Sequence, residues 1–379
     1  MKNELQFSDR TLKLSRYPYR SNDSLQAWDA GDEYIIRYTE EEMSLLPDQK
    51  ILILNDHFGA LSCWFSQHHQ VTTMSDSFLS HQGIRRNLEE NDCPSVRLLT
   101  TMDSLPQHID FVLLKLPKIN RHLIWQLIQI RQNLSPDCQV IAVNKAREIH
   151  TSTLRLFEKY LGHTTTSLAW KKHRLIFSAP DVSTHHPDQT QELTWPVEGE
   201  SIHLINLPNV YSGEKLDLGA RFFLTHLPQD PKFKHIIDLG CGNGVLAVKA
   251  RQLNPQAAIT CIDESFMAVE SARQNLQHHF SDCENIRCIA NNCLDEFKGN
   301  SADLVLCNPP FHQQTAITDH IAWQMFCDAK HVLNKGGQLL VIGNRHLGYD
   351  GKLTRIFGKT SVKTVAANKK FVILQATKG

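Results

Sequence analysis

The chain has 379 residues, of which 41% are apolar and 21% charged, with 40 Lys and Arg against 40 Asp and Glu. This composition is typical of a folded protein of two domains, and it excludes a disordered chain or a polycation that binds nucleic acid by net charge alone. No stretch reaches the roughly 18 apolar residues of a membrane span. The ten cysteines show no zinc spacing, so we expect free thiols, no metal and a cytoplasmic protein.

Four blocks of the first half recur in the second half with the same order and spacing, after a first segment in which we predict a helix from Leu25 onward. The matching pairs are ILILNDHFGALSCWF (51–65) with IIDLGCGNGVLAVKA (236–250), 71–91 with 259–279, DFVLLKLPK (110–118) with DLVLCNPPF (303–311), and 139–162 with 338–360. Strands and helices alternate in both halves. The pattern therefore predicts a duplication, with two tandem Rossmann-like α/β domains, each a parallel sheet with helices on both faces.

A polar stretch with three prolines and no periodicity, residues 179–200, separates the two halves. Such a segment is typical of a connection between domains. We therefore expect a first domain over residues 1–185, a linker over 186–200 and a second domain over 201–379.

The stretch 236–246 predicts a strand that ends at Asp238, a glycine loop and the start of a helix. Its glycines are Gly240, Gly242 and Gly244. Glycines let the backbone turn sharply and approach a ligand that side chains would exclude. Asp263 follows about 20 residues later, at the end of a second apolar run, where an acidic residue usually holds ribose hydroxyls. The combination favours a nucleotide-type cofactor over a purely structural turn.

The first half lacks these residues at the corresponding positions. Asn55 and His57 replace the first two glycines of the loop, and Ser75 replaces the acid after the second strand. Side chains at the glycine positions would fill the space that a cofactor needs. We therefore predict that the N-terminal copy is degenerate and free to bind substrate or a partner. An altered site built on Asp56 and Asp76 is the alternative.

The segment CNPPFH (307–312) follows a strand in SADLVL, so it lies at the carboxyl edge of the sheet, where α/β proteins bind ligands. Pro309 and its neighbour have no N–H, so the loop presents a bare carbonyl beside the amide of Asn308. Two such acceptors suit an NH2 group on a planar ring, and they stabilise the nitrogen as it becomes positive in a transition state. Phe311 offers a flat face to the ring.

Together these features predict methyl transfer from S-adenosylmethionine, with S-adenosylhomocysteine as product. Asp238 would accept a hydrogen bond from the methionine amino group, and the first two glycines of the loop would admit the methionine portion. Asp263 would bind the ribose hydroxyls. Asn292, or its neighbour Asn291, would contact the adenine amine. The reaction requires no metal, because the sulfonium is already a good leaving group and the protein mainly aligns the reacting atoms.

DLGCGNG followed by NPPF resembles the class I amino-group methyltransferases, and a half with NPPFH after a decayed half resembles the paired bacterial ribosomal RNA guanine-N2 methyltransferases. LILNDHFGALS, LCNPPFHQQ and NRHL are similar to the large-subunit members, and the likeness covers nearly the whole chain. The resemblance implies a catalytic second domain that methylates the N2 amine of one guanine in 23S rRNA. It also implies catalytic roles for Asn308, Pro309 and Phe311.

Other acceptors stay open from the residues alone: a guanine of 16S rRNA, the N6 amine of adenine in DNA, or a protein glutamine. A non-enzymatic RNA-binding assembly factor is a further alternative. Asp217 either caps a helix or borders the methionine end of the cofactor. Trp323 and Phe326 are expected in the core. The basic residues of 144–178 and 344–379 are hypothesised to contact RNA phosphate.

Overall fold

The computed structural model of the chain describes residues 3–20, 25–43, 45–183, 191–310 and 316–379, without the side chains of 316–319. The chain divides into two compact units, with the boundary between Gln191 and Glu192. Each unit is built around a seven-stranded sheet. Within the described ranges, no helix combines the length and the apolar character needed to cross a membrane.

The first unit opens with a β-hairpin and then alternates strands and helices. Its elements are β1 (Glu4–Phe7), β2 (Arg10–Lys13), α1 (Ala30–Glu41), β3 (Lys50–Leu54), α2 (Ala60–Phe65), β4 (Gln70–Ser75), α3 (Phe78–Glu90), β5 (Arg97–Thr100), β6 (Phe111–Lys115), α4 (Asn120–Asn133), β7 (Gln139–Lys145), α5 (Thr151–Tyr160), β8 (Thr164–Thr166) and β9 (His173–Ser178). The strand order of the main sheet is β5-β4-β3-β6-β7-β9-β8.

The second unit opens with a two-stranded ribbon and repeats the same alternation. Its elements are β10 (Leu193–Pro196), β11 (His203–Asn206), α6 (Leu218–Leu224), β12 (His235–Leu239), α7 (Val245–Leu253), β13 (Ala258–Asp263), α8 (Phe266–His279), β14 (Ile286–Ala290), β15 (Ala302–Cys307), α9 (Ala316–Val332), β16 (Leu333–Asn344), α10 (Tyr349–Phe357), β17 (Val362–Ala367) and β18 (Phe371–Thr377). The strand order is β14-β13-β12-β15-β16-β18-β17.

The two sheets repeat one another strand for strand and in register. Ile53 pairs with Leu113 in the first sheet, and the corresponding pair in the second is Asp238 with Leu306. The predicted fold class, two tandem Rossmann-like α/β units, is therefore confirmed. Six strands of each sheet run in the same direction, whereas β9 and β18 run antiparallel to both of their neighbours. The reversal follows from the short connections before these strands, which are too short for a parallel crossover.

Both faces of each sheet are buried, as the near-continuous apolar runs of its strands require. Alternate residues of a strand point to opposite faces. On β12, Ile236 belongs to the core layer that α6, α7 and α8 cover, and Ile237 belongs to the opposite layer with α9. Asp238 therefore points to the same side as Ile236, towards the glycine loop and α7.

Two local expectations differ from the structure. The first helix begins at Ala30, not at Leu25, because the side chain of Asp29 accepts hydrogen bonds from the first free backbone N–H groups and completes a capping box. The expected linker, 186–200, contains β10, which pairs with β11. Trp195 anchors this ribbon within the second unit by donating from Nε1 to the Gly213 carbonyl at 2.8 Å.

Gly244 generates a prediction about stability. Its φ is +77°, and a Cβ there would lie 2.8 Å from Ala272 Cβ on α8. Gly244→Ala should lower the free energy of unfolding of the second unit by about 2–5 kcal/mol, because backbone strain and overpacking add. Gly336→Ala is the matched control, since Gly336 has φ +79° and open space around it. It should lose only about 1–2 kcal/mol. Urea denaturation of the full chain measures both, and equal losses would contradict the packing argument.

Candidate functional site

Asp238 is a buried acid with one unused oxygen. It is 1% exposed, and its Oδ2 accepts a hydrogen bond from the Ala247 backbone N–H at 3.1 Å. Its Oδ1 is buried without a hydrogen-bond partner among the described residues. Burial raises the pKa of Asp238 to about 7, and the nearby charge of Asp263 adds to the effect, whereas the Ala247 N–H opposes it. An unsatisfied buried acceptor costs about 1–3 kcal/mol, so the oxygen is suited to a donor from a ligand.

The glycine loop has open space at its second glycine but not at its first. Gly240 and Gly242 have φ of +75° and +53°. A Cβ on Gly242 would meet nothing within 4 Å, and one on Gly240 would lie 3.2 Å from Met325 Cε. Gly244 differs, because its missing Cβ faces Ala272 of α8. The first two glycines thus shape the loop surface, and the third permits close helix packing.

Asp263 ties the glycine loop to the start of α8. Its Oδ2 accepts from the Gly242 N–H at 2.9 Å, and its Oδ1 accepts from the Ser265 N–H at 3.0 Å. The carboxylate therefore holds the loop in place.

The two asparagines after β14 have different surroundings. Asn291 donates its amide to the backbone carbonyls of Cys293 and Asp295, at 3.3 and 2.9 Å, and so shapes the turn. Asn292 is buried, at 5% exposed, and its Nδ2 donates to the Asp295 carboxylate at 2.6 Å. Both follow directly on β14, two strands away from β12 in the sheet.

Asn308 follows β15 directly, and its Oδ1 is buried without a hydrogen-bond partner among the described residues. Pro309 is buried next to it and Pro310 is exposed. A Cβ on Gly240 would be 4.0 Å from the Asn308 carbonyl oxygen, so the glycine loop and this segment lie side by side. Phe311 falls outside the described residues. The structure thus brings Asp238, the glycine loop and Asn308 together at one edge of the sheet.

The structure also bears on three further residues for which expectations follow from the sequence. Asp217 caps α6, accepting from the Ala220 N–H at 3.0 Å, as the simple helix-start interpretation expects. Phe326 is fully buried, but Trp323 is 38% exposed, so the prediction that Trp323 is a core residue was wrong. On α9 the buried positions are Ala322, Met325, Phe326 and Ala329. Trp323 lies off this stripe, because 3.6 residues make one turn of a helix.

In the first unit, side chains close the corresponding edge. Lys115, at the position of Asn308, is buried with its Nζ 2.7 Å from both oxygens of Asp32 and 3.3 Å from Asp29 Oδ2. Asn55, at the position of Gly240, exchanges two hydrogen bonds with Gln126 at 2.9 and 3.1 Å. The repeat shows from the sequence that a lysine replaces Asn308 here, but it does not show that Asp32 is the partner of this lysine. These contacts place bonded side chains at the positions that Gly240 and Asn308 occupy in the second unit.

The acids proposed for an altered site in the first unit have structural partners. Asp56 accepts from the Gly59 N–H at 3.1 Å and from the Ser62 N–H and hydroxyl at 2.8 and 2.7 Å. Ser62 occupies the position of Ala247, so Asp56 caps α2 as Asp238 caps α7. Asp76 accepts from the Thr101 hydroxyl at 2.5 Å. The contacts of Asp56 account for it without a ligand.

Comparisons with known proteins give separate matches for the two halves of the chain. The family model of the RLMG N-terminal domain matches residues 2–182, and that of the methyltransferase small domain matches 201–375. The ribosomal RNA large subunit methyltransferase G of Vibrio vulnificus (strain YJ016) is 66% identical over 100% of this chain and 100% of its own. That of Vibrio campbellii is 64% identical over 100% of this chain and 98% of its own.

Among solved structures, a T. Thermophilus 16S rRNA N2 methyltransferase in complex with AdoMet and guanosine has the same fold. Its TM-score is 0.76 at 18% identity, with 99% of this chain and 97% of that chain covered. The sheet order, the glycine loop and the matched methyltransferase domain define the class, a two-domain methyltransferase with a Rossmann-like fold. More narrowly, the chain belongs to the ribosomal RNA large subunit methyltransferase G family.

The raised pKa of Asp238 generates a second prediction. A carboxyl whose pKa is higher in the folded chain stabilises the fold when protonated, so the free energy of unfolding should fall as pH rises from about 4 to about 7. Asp238→Asn should remove this contribution and be more stable than wild type at pH 8 by up to about 4 kcal/mol. Urea denaturation at pH 5 and pH 8 without ligand checks it. A difference between the two proteins that does not change with pH would contradict the burial argument.

Proposed function

We propose that the second unit transfers a methyl group from S-adenosylmethionine to the exocyclic N2 amine of one guanine in 23S rRNA, in the cytoplasm. The observation that carries the proposal is a pair of buried acceptors without partners among the described residues, Asp238 Oδ1 on β12 and Asn308 Oδ1 directly after the adjacent strand β15. The names of the relatives support large-subunit rRNA as the substrate. The first unit, with its cleft closed, is assigned to RNA binding or to support of the second.

The residues at the edge of the second sheet fit the cofactor. Asp238 Oδ1 is a buried acceptor for the amino group of its methionine portion, and the open space at Gly242 leaves room for that portion. Asp263, at the end of β13 and bonded to the glycine loop, would accept from the ribose hydroxyls. Asn292 would contact the adenine amine. S-adenosylmethionine supplies an electrophilic methyl group on a sulfonium, and no further activation by the protein is required.

Asn308 and the Pro309 carbonyl would hold the target amine. The lone pair of an exocyclic amine is delocalised into the ring, which makes the nitrogen a poor nucleophile. Hydrogen bonds from its two N–H groups to fixed acceptors favour a tetrahedral nitrogen, and they strengthen as that nitrogen becomes positive. The methylated amine then releases a proton to water. Phe311 is proposed to stack on the ring of the extruded base.

The acceptor pair by itself would also suit an adenine N6 amine or a glutamine amide, because it recognises an NH2 and not the ring. Membership of the rRNA methyltransferase family favours rRNA over these two. A non-enzymatic factor that only held the cofactor would have use for Asp238, but none for a buried amide oxygen at Asn308. That oxygen therefore favours an enzyme.

A third prediction separates turnover from cofactor binding. Asn308→Ala should lower kcat about 100- to 1,000-fold, because the stabilisation it removes exists mainly in the transition state. The Kd for S-adenosylmethionine, measured by calorimetry, should stay within about twofold, since Asn308 is assigned to the amine. Asp238→Ala should instead cause a large rise in the Kd for S-adenosylmethionine, since Asp238 is assigned to the cofactor. Asn308→Ala with unchanged kcat would contradict the assignment of Asn308 to the target amine, and a wild type that binds S-adenosylmethionine without turnover would favour the binding-factor alternative.

A fourth prediction concerns the substrate. Mass mapping of rRNA from cells with and without the gene should show one guanine of 23S rRNA that loses a methyl group. Adding the purified chain and S-adenosylmethionine to the unmodified RNA should restore that methyl at N2. Loss of a methyl from 16S rRNA, or from no rRNA, would overturn the assignment.

A further inference from the structure

The second unit has a third buried acceptor without a partner, which the reaction described above does not use. Among the described residues of this unit, the buried side-chain polar atoms without a hydrogen bond are Asp238 Oδ1, Asn308 Oδ1 and Asn344 Oδ1. Asn344 is the last residue of β16. Asp238 and Asn344 thus belong to β12 and β16, and Asn308 directly follows β15, which lies between those two strands in the sheet. Asn344 belongs to the same group by position as well as by chemistry.

The register places Asn344 on the same face and the same edge as Asn308. Leu340 and Ile342 of β16 pack into the layer under α6 and α7, and Asn344 follows them in the alternation that puts every second residue on one face. β15 and β16 are parallel, with Cys307 opposite Val341, so Asn308 is level with Ile342. At ~4.8 Å between strands and ~3.3 Å per residue, the two asparagine Cα atoms are roughly 8 Å apart. Two amide side chains can span that gap by converging on one ring.

The first unit provides a comparison within the same chain. Its β6–β7 register, with Leu114 opposite Ala142, puts Lys145 at the position of Asn344. The position of Asp238 is occupied by Ile53 and that of Asn308 by Lys115. None of these three residues carries an acceptor in its side chain. The unit with the closed edge thus lacks all three acceptors, and the unit with the open edge keeps all three.

We propose that Asn344 Oδ1 accepts the ring N1–H of the target guanine and so selects the base whose amine Asn308 holds; this rests on the proposed function. In guanine the N2 amine and the N1–H are adjacent donors on one edge. Two fixed acceptors match that edge, whereas in adenine the atom next to the amine is an acceptor and would face Asn344 Oδ1 with a lone pair. A site built to bond a substrate donor rejects analogues that lack it. Asn344 is therefore a specificity residue.

The test uses a fragment of 23S rRNA that spans the methylated guanine, prepared with either guanine or 2-aminopurine at that position. 2-Aminopurine keeps the amine but has an acceptor at N1. Wild type should prefer guanine. Asn344→Ala should lower kcat/KM for guanine about 10- to 100-fold, the effect of one lost hydrogen bond with its donor left unpaired. For 2-aminopurine, kcat/KM should be unchanged or raised, so the preference is lost. Asn344→Asp keeps an acceptor oxygen and should keep the preference.

The control variant is Asn334→Ala at the opposite end of the same strand, where Asn334 donates to Asp303 Oδ1 at 2.8 Å. It should retain the preference for guanine. The Kd for S-adenosylmethionine, measured for every variant, shows whether the second unit is folded. A fall in kcat/KM for both RNAs by the same factor in Asn344→Ala would overturn the proposal in favour of a structural role. If wild type methylates neither RNA, the proposed function itself fails, and the inference with it.

Discussion

The second unit depends on keeping hydrogen-bond acceptors buried and unsatisfied at one edge of its sheet. Each such oxygen disfavours the ligand-free fold by about 1–3 kcal/mol. Burial of the Asp238 carboxyl adds to this cost at neutral pH, because it disfavours the charged form and so raises the pKa. Strands β12 and β15, buried on both faces, hold the backbone under these side chains. The rigid sheet prevents the edge from collapsing to satisfy its own acceptors. The site therefore depends on the rigid sheet that carries it more than on contacts with surrounding side chains.

The helix that follows the glycine loop shows how the duplication separates scaffold from site. In both units an acid accepts from the N–H of the same residue of this helix, Ser62 in one and Ala247 in the other. In the first unit the acid is Asp56, on the loop, and both of its oxygens are used. In the second it is Asp238, on the strand, with one oxygen free. Moving the acid from loop to strand preserves the cap and also leaves an acceptor in the cleft.

Much of the fold could be predicted from the sequence, because the strand and helix patterns of one half recur in the other half. Each pattern is weak by itself, but the two halves support the same assignment. The glycine loop, Asp263 and Asn308 could be proposed as site residues because their patterns are local: each depends on its neighbours along the chain. The contacts that sequence reasoning missed are long-range. Lys115 meets Asp32 across 83 positions, and Asn344 lies beside Asn308 only through the register of β16. Trp323 was misplaced because an apolar residue says nothing about which side of a helix it occupies until the partner face is known.

Closure of the first unit involves substitutions that support one another. Asn55 keeps the left-handed backbone of the glycine that it replaces, with φ +65° against +75° at Gly240, because asparagine tolerates that region better than most residues. The loop shape survives while its side chain binds Gln126 and donates to the Lys115 carbonyl at 2.7 Å. Lys115 in turn needs Asp32, since a buried ammonium without its carboxylate is strongly destabilising. Replacing only Asn55 or only Lys115 by its counterpart in the second unit would leave its partners unsatisfied, so these substitutions depend on one another.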